Sequence, residues 1–430
     1  MMWTLRHFAC LCVCAAVSAW GQAPARAPLA PETSSAQVLK AYLPQEAAAR
    51  EALLNSPWMQ AARAEKEGWQ ARAKAIGAGP HEFTLRSTSQ RRQDVASGTR
   101  WHESMVSLET PMRFWGKRGL DADLEDKTQA YAELSYADAL HEGGRELIQL
   151  WFAYLSALAD EHNAQTALTL SAKMQRMTQV QLKQGEVSKL DAELASAELE
   201  RTQAALAVSQ AQRSGAAAVL QRRFPSLSLP SAEVLSASPN LPPLQGALAD
   251  MRQAYVEKNH EVNLMRLQAE RLRLSADRAS RERLPDPTVG VFSSRDKGGA
   301  ETVNGVLLSL PLAGTARWHH HSAALADAQV ASDKVVLAEQ QKGAAFEGLW
   351  ASYQHKRSAA EQLKTAAQRQ ALAADKSLKA YSLGEGSLAD MLLISRMASD
   401  NLHAAQRMQL EVLQMLALLR LDLHEMWDFD

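Results

Sequence analysis

Three consecutive histidines, His319, His320 and His321, form the group of residues that first indicates a possible metal site. Imidazole nitrogens are common ligands of zinc. Consecutive residues of a helix, however, point about 100° apart, so three in a row cannot share one ion as an i, i+4 pair does. A solvated polar turn is therefore the simpler interpretation. We retain the three histidines as the candidate metal ligands of the sequence.

Two other polar clusters share the pattern Gly-Glu-x-Ser-x-x-Asp, at residues 185–191 and 384–390, and each interrupts a long helical stretch. Ser followed three residues later by Asp is typical of a helix start, because the Ser side chain accepts a backbone N–H and the carboxylate faces the helix N-terminus. Gly favours the left-handed backbone conformation in which many helices end. Each pattern therefore predicts a turn between two antiparallel helices.

The N-terminal segment indicates the compartment. An apolar run over residues 8–19 follows Arg6 and precedes several small residues, which is typical of a secretory signal peptide, placed here at 1–23. All three cysteines lie inside this segment, at Cys10, Cys12 and Cys14. Removal of the peptide would leave a chain without cysteine, which excludes disulfides and cysteine-ligated metals.

Composition and motifs exclude several classes of function. The sequence has 47 basic and 48 acidic residues, so no general attraction to nucleic acid is expected. It contains no phosphate-binding loop, nucleophile elbow or HExxH motif, and we therefore expect neither an enzyme nor a bound cofactor. After the signal peptide, no apolar run approaches the 18 or so residues of a membrane-spanning helix. A chain of this kind that enters a membrane must do so as β-strands.

The chain contains an internal duplication. Leu150-Trp151 recurs as Leu349-Trp350, residues 108–112 resemble residues 308–312, and the two Gly-Glu turns follow in the same order at nearly the same offset. The predicted organisation, in chain order after the signal peptide, is an N-terminal extension at 24–43, a first repeat at 44–224, a Pro-rich linker at 225–244, a second repeat at 245–424 and a tail at 425–430.

Each repeat has the same predicted order of elements. A helix of about 35 residues (44–77 or 245–283) precedes two β-like segments, which are followed by a helix of almost 70 residues, the Gly turn and a helix of about 36 residues. The β-like segments cover about 81–90, 101–110, 287–294 and 302–310. Their length of about nine to eleven residues suits strands that cross an outer membrane. Four strands cannot close a barrel, so a membrane location would require oligomerisation.

Tryptophans near the predicted strand ends are candidate residues of a membrane interface, where aromatic side chains concentrate. They are Trp101, Trp115 and Trp318.

This organisation resembles the TolC-like outer-membrane efflux channels over nearly all of the mature chain, about residues 40–425. Two motifs resemble the cobalt–zinc–cadmium branch of that family: Pro111-x-x-x-x-Gly116-Lys117-Arg118-Gly119 after a strand, and Arg283-Leu284-Pro285-Asp286-Pro287 before a strand. The corresponding segment of the second half, residues 311–314, lacks the Lys-Arg pair.

The resemblance implies a mainly α fold with a transmembrane β portion. Three copies would form a 12-stranded barrel in the outer membrane of a Gram-negative bacterium, continuous with a periplasmic α-helical barrel. Such a homotrimer contacts outer-membrane lipid, docks a periplasmic adaptor (a membrane fusion protein) and an inner-membrane pump of the RND type, and exports substrates passively. Heavy-metal cations are the substrate that the branch implies.

The resemblance also assigns roles at the two turns. The residues implied to dock the adaptor are Gly185, Glu186, Ser188, Gly384, Glu385 and Ser387. The residues implied to form an acidic ring at the periplasmic aperture are Asp191 and Asp390. Two alternatives remain open from the sequence: a soluble periplasmic coiled-coil scaffold or adaptor, and the same channel exporting organic solutes or polypeptides.

Overall fold

The protein, represented by a computed structural model, consists of long helices and one small sheet. The structure describes residues 33–236, 241–244 and 246–427; the predicted signal peptide and the last three residues of the predicted tail lie outside these ranges. The helices, in chain order, are α1 (Thr33–Tyr42), α2 (Glu46–Leu54), α3 (Pro57–Ala78), α4 (Lys117–Gln184), α5 (Lys189–Arg223), α6 (Leu248–Lys258), α7 (His260–Glu282), α8 (Thr315–Ser382) and α9 (Leu388–Asp422). The strands are β1 (Thr84–Gln93), β2 (Arg100–Pro111), β3 (Thr288–Asp296) and β4 (Glu301–Ser309).

The helix lengths repeat between the two halves. Helices α4 and α8 each have 68 residues, and α5 and α9 each have 35. At 1.5 Å per residue, the longer pair extends over about 100 Å. In each half the long helix packs against the shorter one that follows it, and α4 also packs against α9. Helices of this length therefore obtain their packing partners by lying side by side.

The first helix of each repeat differs from its prediction, because a cap divides it. The Ser56 side chain accepts the Met59 N–H in front of Pro57, so α3 begins there instead of continuing α2. In the second half, the Asn259 side chain accepts the Val262 N–H and separates α6 from α7. Proline at the first helical position and Asn or Ser just before it are both typical starts.

The main hydrophobic core surrounds the middle of α4. Leu147, Trp151 and Leu155 are buried there against the C-terminal part of α9 and the end of α5. The Trp151 Nε1–H donates to the Tyr42 carbonyl oxygen at 2.6 Å, which fastens the N-terminal extension to this core. From Leu388 to Leu423, eleven mostly apolar positions follow one another at alternate steps of three and four residues, which is the heptad period of a coiled coil. Seven of these eleven positions, along α9 and at the residue after it, are buried.

The four strands form one antiparallel sheet in the order β1-β2-β3-β4. The central pair, β2 and β3, joins the two halves, with Leu108 opposite Val291. The predicted strands are confirmed with shifts of one to three residues at their ends. Among the described helices, none is both long and apolar enough to cross a membrane.

The two faces of the sheet differ in chemistry. One face carries a row of apolar residues in register across all four strands, and each is exposed: Leu85 (71%), Leu108 (43%), Val291 (57%) and Val306 (84%). On the opposite face of β2, Glu103, Ser107 and Glu109 are buried, and the Ser107 hydroxyl donates to the Glu109 carboxylate at 2.8 Å. Exposed apolar and buried polar side chains invert the arrangement of a water-soluble sheet.

Candidate functional site

The two Gly-Glu turns connect the long helices, as the sequence predicts. Gly185 and Gly384 both have φ of 78°, the left-handed conformation that glycine adopts without strain. The next residue closes each helix end: Glu186 N–H donates to the Gln181 carbonyl at 2.9 Å, and Glu385 N–H donates to the Ala380 carbonyl at 3.0 Å. This hydrogen-bond pattern ends α4 and α8 in the same way.

The helices that follow begin with the predicted caps. The Ser188 hydroxyl accepts the Asp191 N–H at 3.1 Å, and the Asp191 carboxylate accepts the Ser188 N–H, which completes a capping box. In the second turn, the Ser387 hydroxyl accepts the Asp390 N–H at 3.0 Å. Because these bonds satisfy backbone groups that a helix start otherwise leaves unpaired, the Ser-x-x-Asp pattern has a structural role at both turns.

The structure brings the two turns together at one end of the molecule, and we call residues 181–191 and 380–391 the two tips. The Tyr381 hydroxyl donates to the Gln181 side-chain oxygen at 3.1 Å, across 200 positions of the sequence. Below this contact, Met174 and Ala195 of the first half pack with Leu388 and other residues of the second half in a small buried cluster.

The predicted docking and aperture residues lie at these tips. All six docking residues are exposed, whereas Asp191 is half-buried and Asp390 is exposed. Both aspartates also have a local role, since the hydroxyls of Ser188 and Ser387 each donate to the neighbouring carboxylate at 2.7 Å. Their proposed roles at an aperture and with an adaptor remain predictions.

At the opposite end of α4, Lys117 forms a contact that sequence reasoning missed. Its side chain is fully buried (0% exposed), with the ammonium 2.9 Å from the Asp286 carboxylate and 3.6 Å from the Glu282 carboxylate. The ammonium also donates to the Leu284 carbonyl at 2.8 Å. A buried charge must be paired and hydrogen-bonded to be tolerated, and here the partners come from the last residue of α7 and from the segment between α7 and β3.

Asp286 joins several segments where residues 111–119 meet residues 282–287, a contact region that we call the junction. It accepts the Phe114 N–H at 3.1 Å in addition to the Lys117 contact, and its other oxygen lies 3.4 Å from the His81 Nε2. Burial alone would raise the pKa of Asp286, but the hydrogen bonds from Lys117 and Phe114 N–H and the charge of Lys117 hold that pKa below its ordinary value. The carboxylate therefore stays ionised near neutral pH.

The two sequence motifs of residues 111–119 and 283–287 thus meet at one junction, 167 to 172 positions apart in sequence. The sequence did contain an indication of this contact: each motif has a charged residue near a strand end, and the two charges, on Lys117 and Asp286, have opposite sign. The second half has no equivalent motif: residues 311–314 are all exposed. Arg317 instead donates to the Glu282 carbonyl at 2.7 Å and to its carboxylate at 3.2 Å.

The three candidate interface tryptophans lie around the sheet but in different settings. Trp101 is half-buried in β2, and Trp115 is half exposed beside Phe114, with a positive φ of 63°. Trp318 is 58% exposed, and the Arg283 guanidinium lies 4.3 Å from the centre of its ring. A membrane interface accommodates rings that are partly exposed in this way.

The histidine triplet lies in the first turns of α8, where His319 and His320 are exposed and His321 is half-buried. The structure does not place the ligand nitrogens of these three side chains close enough together to share a metal ion. Among the described residues, the one group of three or more such side chains that is close enough consists of other histidines. The solvated-turn interpretation therefore fits this segment better than a metal site.

Comparisons with known proteins give matches among solved structures. No protein-family model and no curated protein matches the sequence. The outer membrane protein VceC from Vibrio cholerae is 17% identical, with a TM-score of 0.72 over 88% of this chain and 96% of that chain. The CmeC outer membrane channel of Campylobacter jejuni is 13% identical, with a TM-score of 0.71 over 90% of this chain and 86% of that chain.

CusC is 14% identical, with a TM-score of 0.67 over 91% of this chain and 92% of that chain. Its crystal structures concern the conformational changes that accompany folding and transmembrane channel formation. The likeness thus extends over most of each chain, at low sequence identity. The chain has the fold of the TolC-like outer-membrane channels, mostly helical with one small antiparallel sheet.

Proposed function

We propose that the protein is the outer-membrane exit duct of a tripartite efflux system, assembled as a homotrimer. The observation that carries the proposal is the exposed apolar row from Leu85 to Val306 on one face of the sheet. A sheet with two open edges and an exposed apolar face is stable in lipid only when further copies complete a closed barrel. Three copies would supply twelve strands, with the buried polar face lining the lumen.

The helices support the same assignment. Helices α4 and α8 extend over about 100 Å, and both tips lie at the end of the molecule away from the sheet. In a trimer these helices would form a periplasmic tunnel with six tips at its far end. A periplasmic adaptor and an inner-membrane pump of the RND type would supply the coupling, so the duct itself would be passive.

A matched pair of valine substitutions on β4 tests the membrane proposal. Val306 belongs to the apolar row, whereas Val303 lies on the opposite face, opposite Ser294. Arginine on a lipid-facing position costs about 2–4 kcal/mol at the bilayer midplane. We therefore expect Val306→Arg to reduce the amount of heat-labile trimer in the outer-membrane fraction, and Val303→Arg to leave it nearly unchanged.

The alternative scaffold function gives the opposite result. A soluble periplasmic coiled-coil protein would be found in the soluble periplasmic fraction and not with the outer membrane. Neither substitution would change the amount recovered there. Equal effects of Val306→Arg and Val303→Arg would also contradict the proposed lipid face.

Heavy-metal cations are the proposed cargo. What supports this choice is the pair of motifs that resemble the cobalt–zinc–cadmium branch, together with the contact between their residues Lys117 and Asp286. A strain without the gene should lose tolerance to cobalt, zinc or cadmium ions while keeping its tolerance to antibiotics. Loss of antibiotic tolerance alone would favour organic solutes, and loss of a secreted protein would favour polypeptides.

The tips are the proposed docking and gating elements. Asp390 is bonded to Ser387 within its own cap, so Asp390→Asn removes charge while keeping the size of the side chain. An acidic ring at the aperture attracts cations, so this variant should lower the cation preference measured in single-channel recordings. Unchanged selectivity would exclude the ring, and the matched Ser387→Ala variant separates loss of the cap from loss of charge.

A further inference from the structure

Three histidines from distant parts of the chain meet beside the main core. His141 lies in α4, His260 is the first residue of α7, and His424 follows the end of α9. Their ring centres are 4.8–5.6 Å apart, and one ligand nitrogen of each lies within 4.8 Å of the others. His260 is buried and the other two are half-buried.

From this arrangement we propose a site for a divalent transition-metal ion held by His141, His260 and His424. Three imidazoles with an open fourth position form a recurrent tetrahedral zinc site, and imidazole also suits copper and nickel. Metal–nitrogen bonds of about 2.0–2.1 Å place ligand nitrogens roughly 3.3 Å apart. The three side chains therefore need to close by about 1.5 Å at most, which rotamer adjustment around a small ion can supply.

The surroundings contain a group suited to orienting one ligand. The Asp422 carboxylate lies 3.2 Å from the His141 Nε2 and also accepts the Tyr255 hydroxyl at 3.2 Å and the Arg145 guanidinium. Metal-bound histidines commonly donate their other ring N–H to a carboxylate. Here that contact leaves the Nδ1 of His141 for the metal, while Arg145 and Tyr255 hold the carboxylate in place.

The backbone of His424 supplies a second observation. Its φ is 55°, in the left-handed region that favours glycine at the residue after a helix. The neighbouring Glu425 N–H donates to the Arg420 carbonyl at 2.8 Å, the same helix-ending bond that Gly185 and Gly384 allow at the tips. A histidine therefore occupies a position where glycine would be the less strained residue, and its ring lies within the cluster.

A bound ion would join α4, α7 and the end of α9, and so both halves of the chain. It would be resident, distinct from a transported cargo, and the inference does not rest on the proposed channel function. Metal binding can be measured whether or not the protein exports anything, so failure of one proposal leaves the other intact.

His424→Gly is the decisive variant, because it removes one ligand and relieves the left-handed backbone at the same time. The full chain, purified with a tag that contains no histidine and stripped with a chelator, would be titrated with Zn²⁺ alone. We expect one ion per wild-type chain, a rise of several degrees in melting temperature on binding, and visible d–d absorption with Co²⁺. In His424→Gly the metal-free melting temperature should be retained, while zinc affinity falls at least tenfold.

A second variant, His260→Gln, should lose the zinc-dependent rise in melting temperature in the same way. The triple variant His319→Ala, His320→Ala and His321→Ala is the control and should bind as the wild type does. Zinc binding that survives His424→Gly, or that disappears in the triple variant, would overturn the site. Failure of the wild-type chain to bind zinc would overturn it directly.

Discussion

The tips and the junctions between the sheet and the long helices illustrate two ways in which a chain with two similar halves is held in place. At the tips the two halves match: each has a left-handed glycine, a helix-ending bond and a Ser cap, between residues 181 and 191 in the first half and between 380 and 390 in the second. At the junctions the halves differ. Lys117 of the first half is fully buried against Asp286, whereas its counterpart in the second half, Arg317, is half-buried and contacts Glu282.

This difference follows from where the stabilising contacts come from. A tip is built from residues adjacent in sequence, so the same short sequence pattern forms the same structure in both halves. A junction depends on a partner from the other half of the chain, and Asp286 pairs with only one of the two equivalent positions. The halves therefore stay alike where the contacts are local and diverge where the contacts are long-range.

The largest expected effect breaks the first junction. Lys117→Met leaves Asp286 buried without its main cationic partner, and removal of one member of a buried ion pair costs about 3–5 kcal/mol. We expect a clear fall in the temperature at which the helical circular dichroism signal of the full chain is lost. The exposed neighbour Arg118 provides the matched control, and Arg118→Ala should change this temperature little.

A double variant sharpens that test. Lys117→Met combined with Asp286→Leu removes both charges, so the stability lost by Lys117→Met alone should partly return. If Lys117→Met and Arg118→Ala have equal effects, the junction does not depend on the buried pair.

The next effect tests the equivalence of the tips. Gly185→Ala and Gly384→Ala each place a Cβ on a left-handed residue, which costs about 1–2 kcal/mol although no neighbouring atom clashes. Both variants should lower the melting temperature by the same amount. Gly215 lies inside α5, two turns before its end, with no positive φ and equally open surroundings, so Gly215→Ala should stabilise the chain by up to about 1 kcal/mol.

Unequal effects of the two tip variants would show that the tips differ in spite of their matching geometry. If Gly215→Ala also lowered the melting temperature, the added methyl group itself, and not the left-handed backbone, would explain the loss of stability at the tips.

The smallest effect concerns a titratable contact between the halves, from His403 of α9 to Asp160 of α4, at 2.5 Å. The hydrogen bond that the His403 ring donates to the Asp160 carboxylate raises the pKa of His403, whereas partial burial lowers it. The nearby charge of Asp400 raises this pKa further, and that of Arg407 lowers it. Because the folded pKa is raised, the contact contributes fully below the ordinary histidine pKa of about 6.5 and is lost as the pH rises through the folded pKa.

The difference in melting temperature between the wild type and His403→Gln should therefore be larger near about pH 5.5 than near about pH 8.5. Asp160→Asn should abolish this pH dependence. A difference that grows towards high pH would contradict the assigned contact.

Much of the fold could be predicted from the sequence, because it depends on neighbouring residues. The Gly-Glu-x-Ser-x-x-Asp pattern contains both the helix end and the following cap, and the four β-like segments match the four strands to within three residues. The heptad positions of α9 predicted its buried side. The breaks before Pro57 and after Asn259 were missed, since a continuous helical composition concealed their caps.

The sequence by itself thus determined the four strands, the lengths of the helices on either side of the two Gly-Glu turns, and the turns themselves. Only the tertiary structure decided that the two tips lie side by side, that Lys117 is buried on Asp286, and that His141, His260 and His424 meet. The physical reason is distance along the chain. Helix caps and strand alternation act over two to four residues, whereas a buried ion pair or a shared ligand site depends on how helices of about 100 Å pack together.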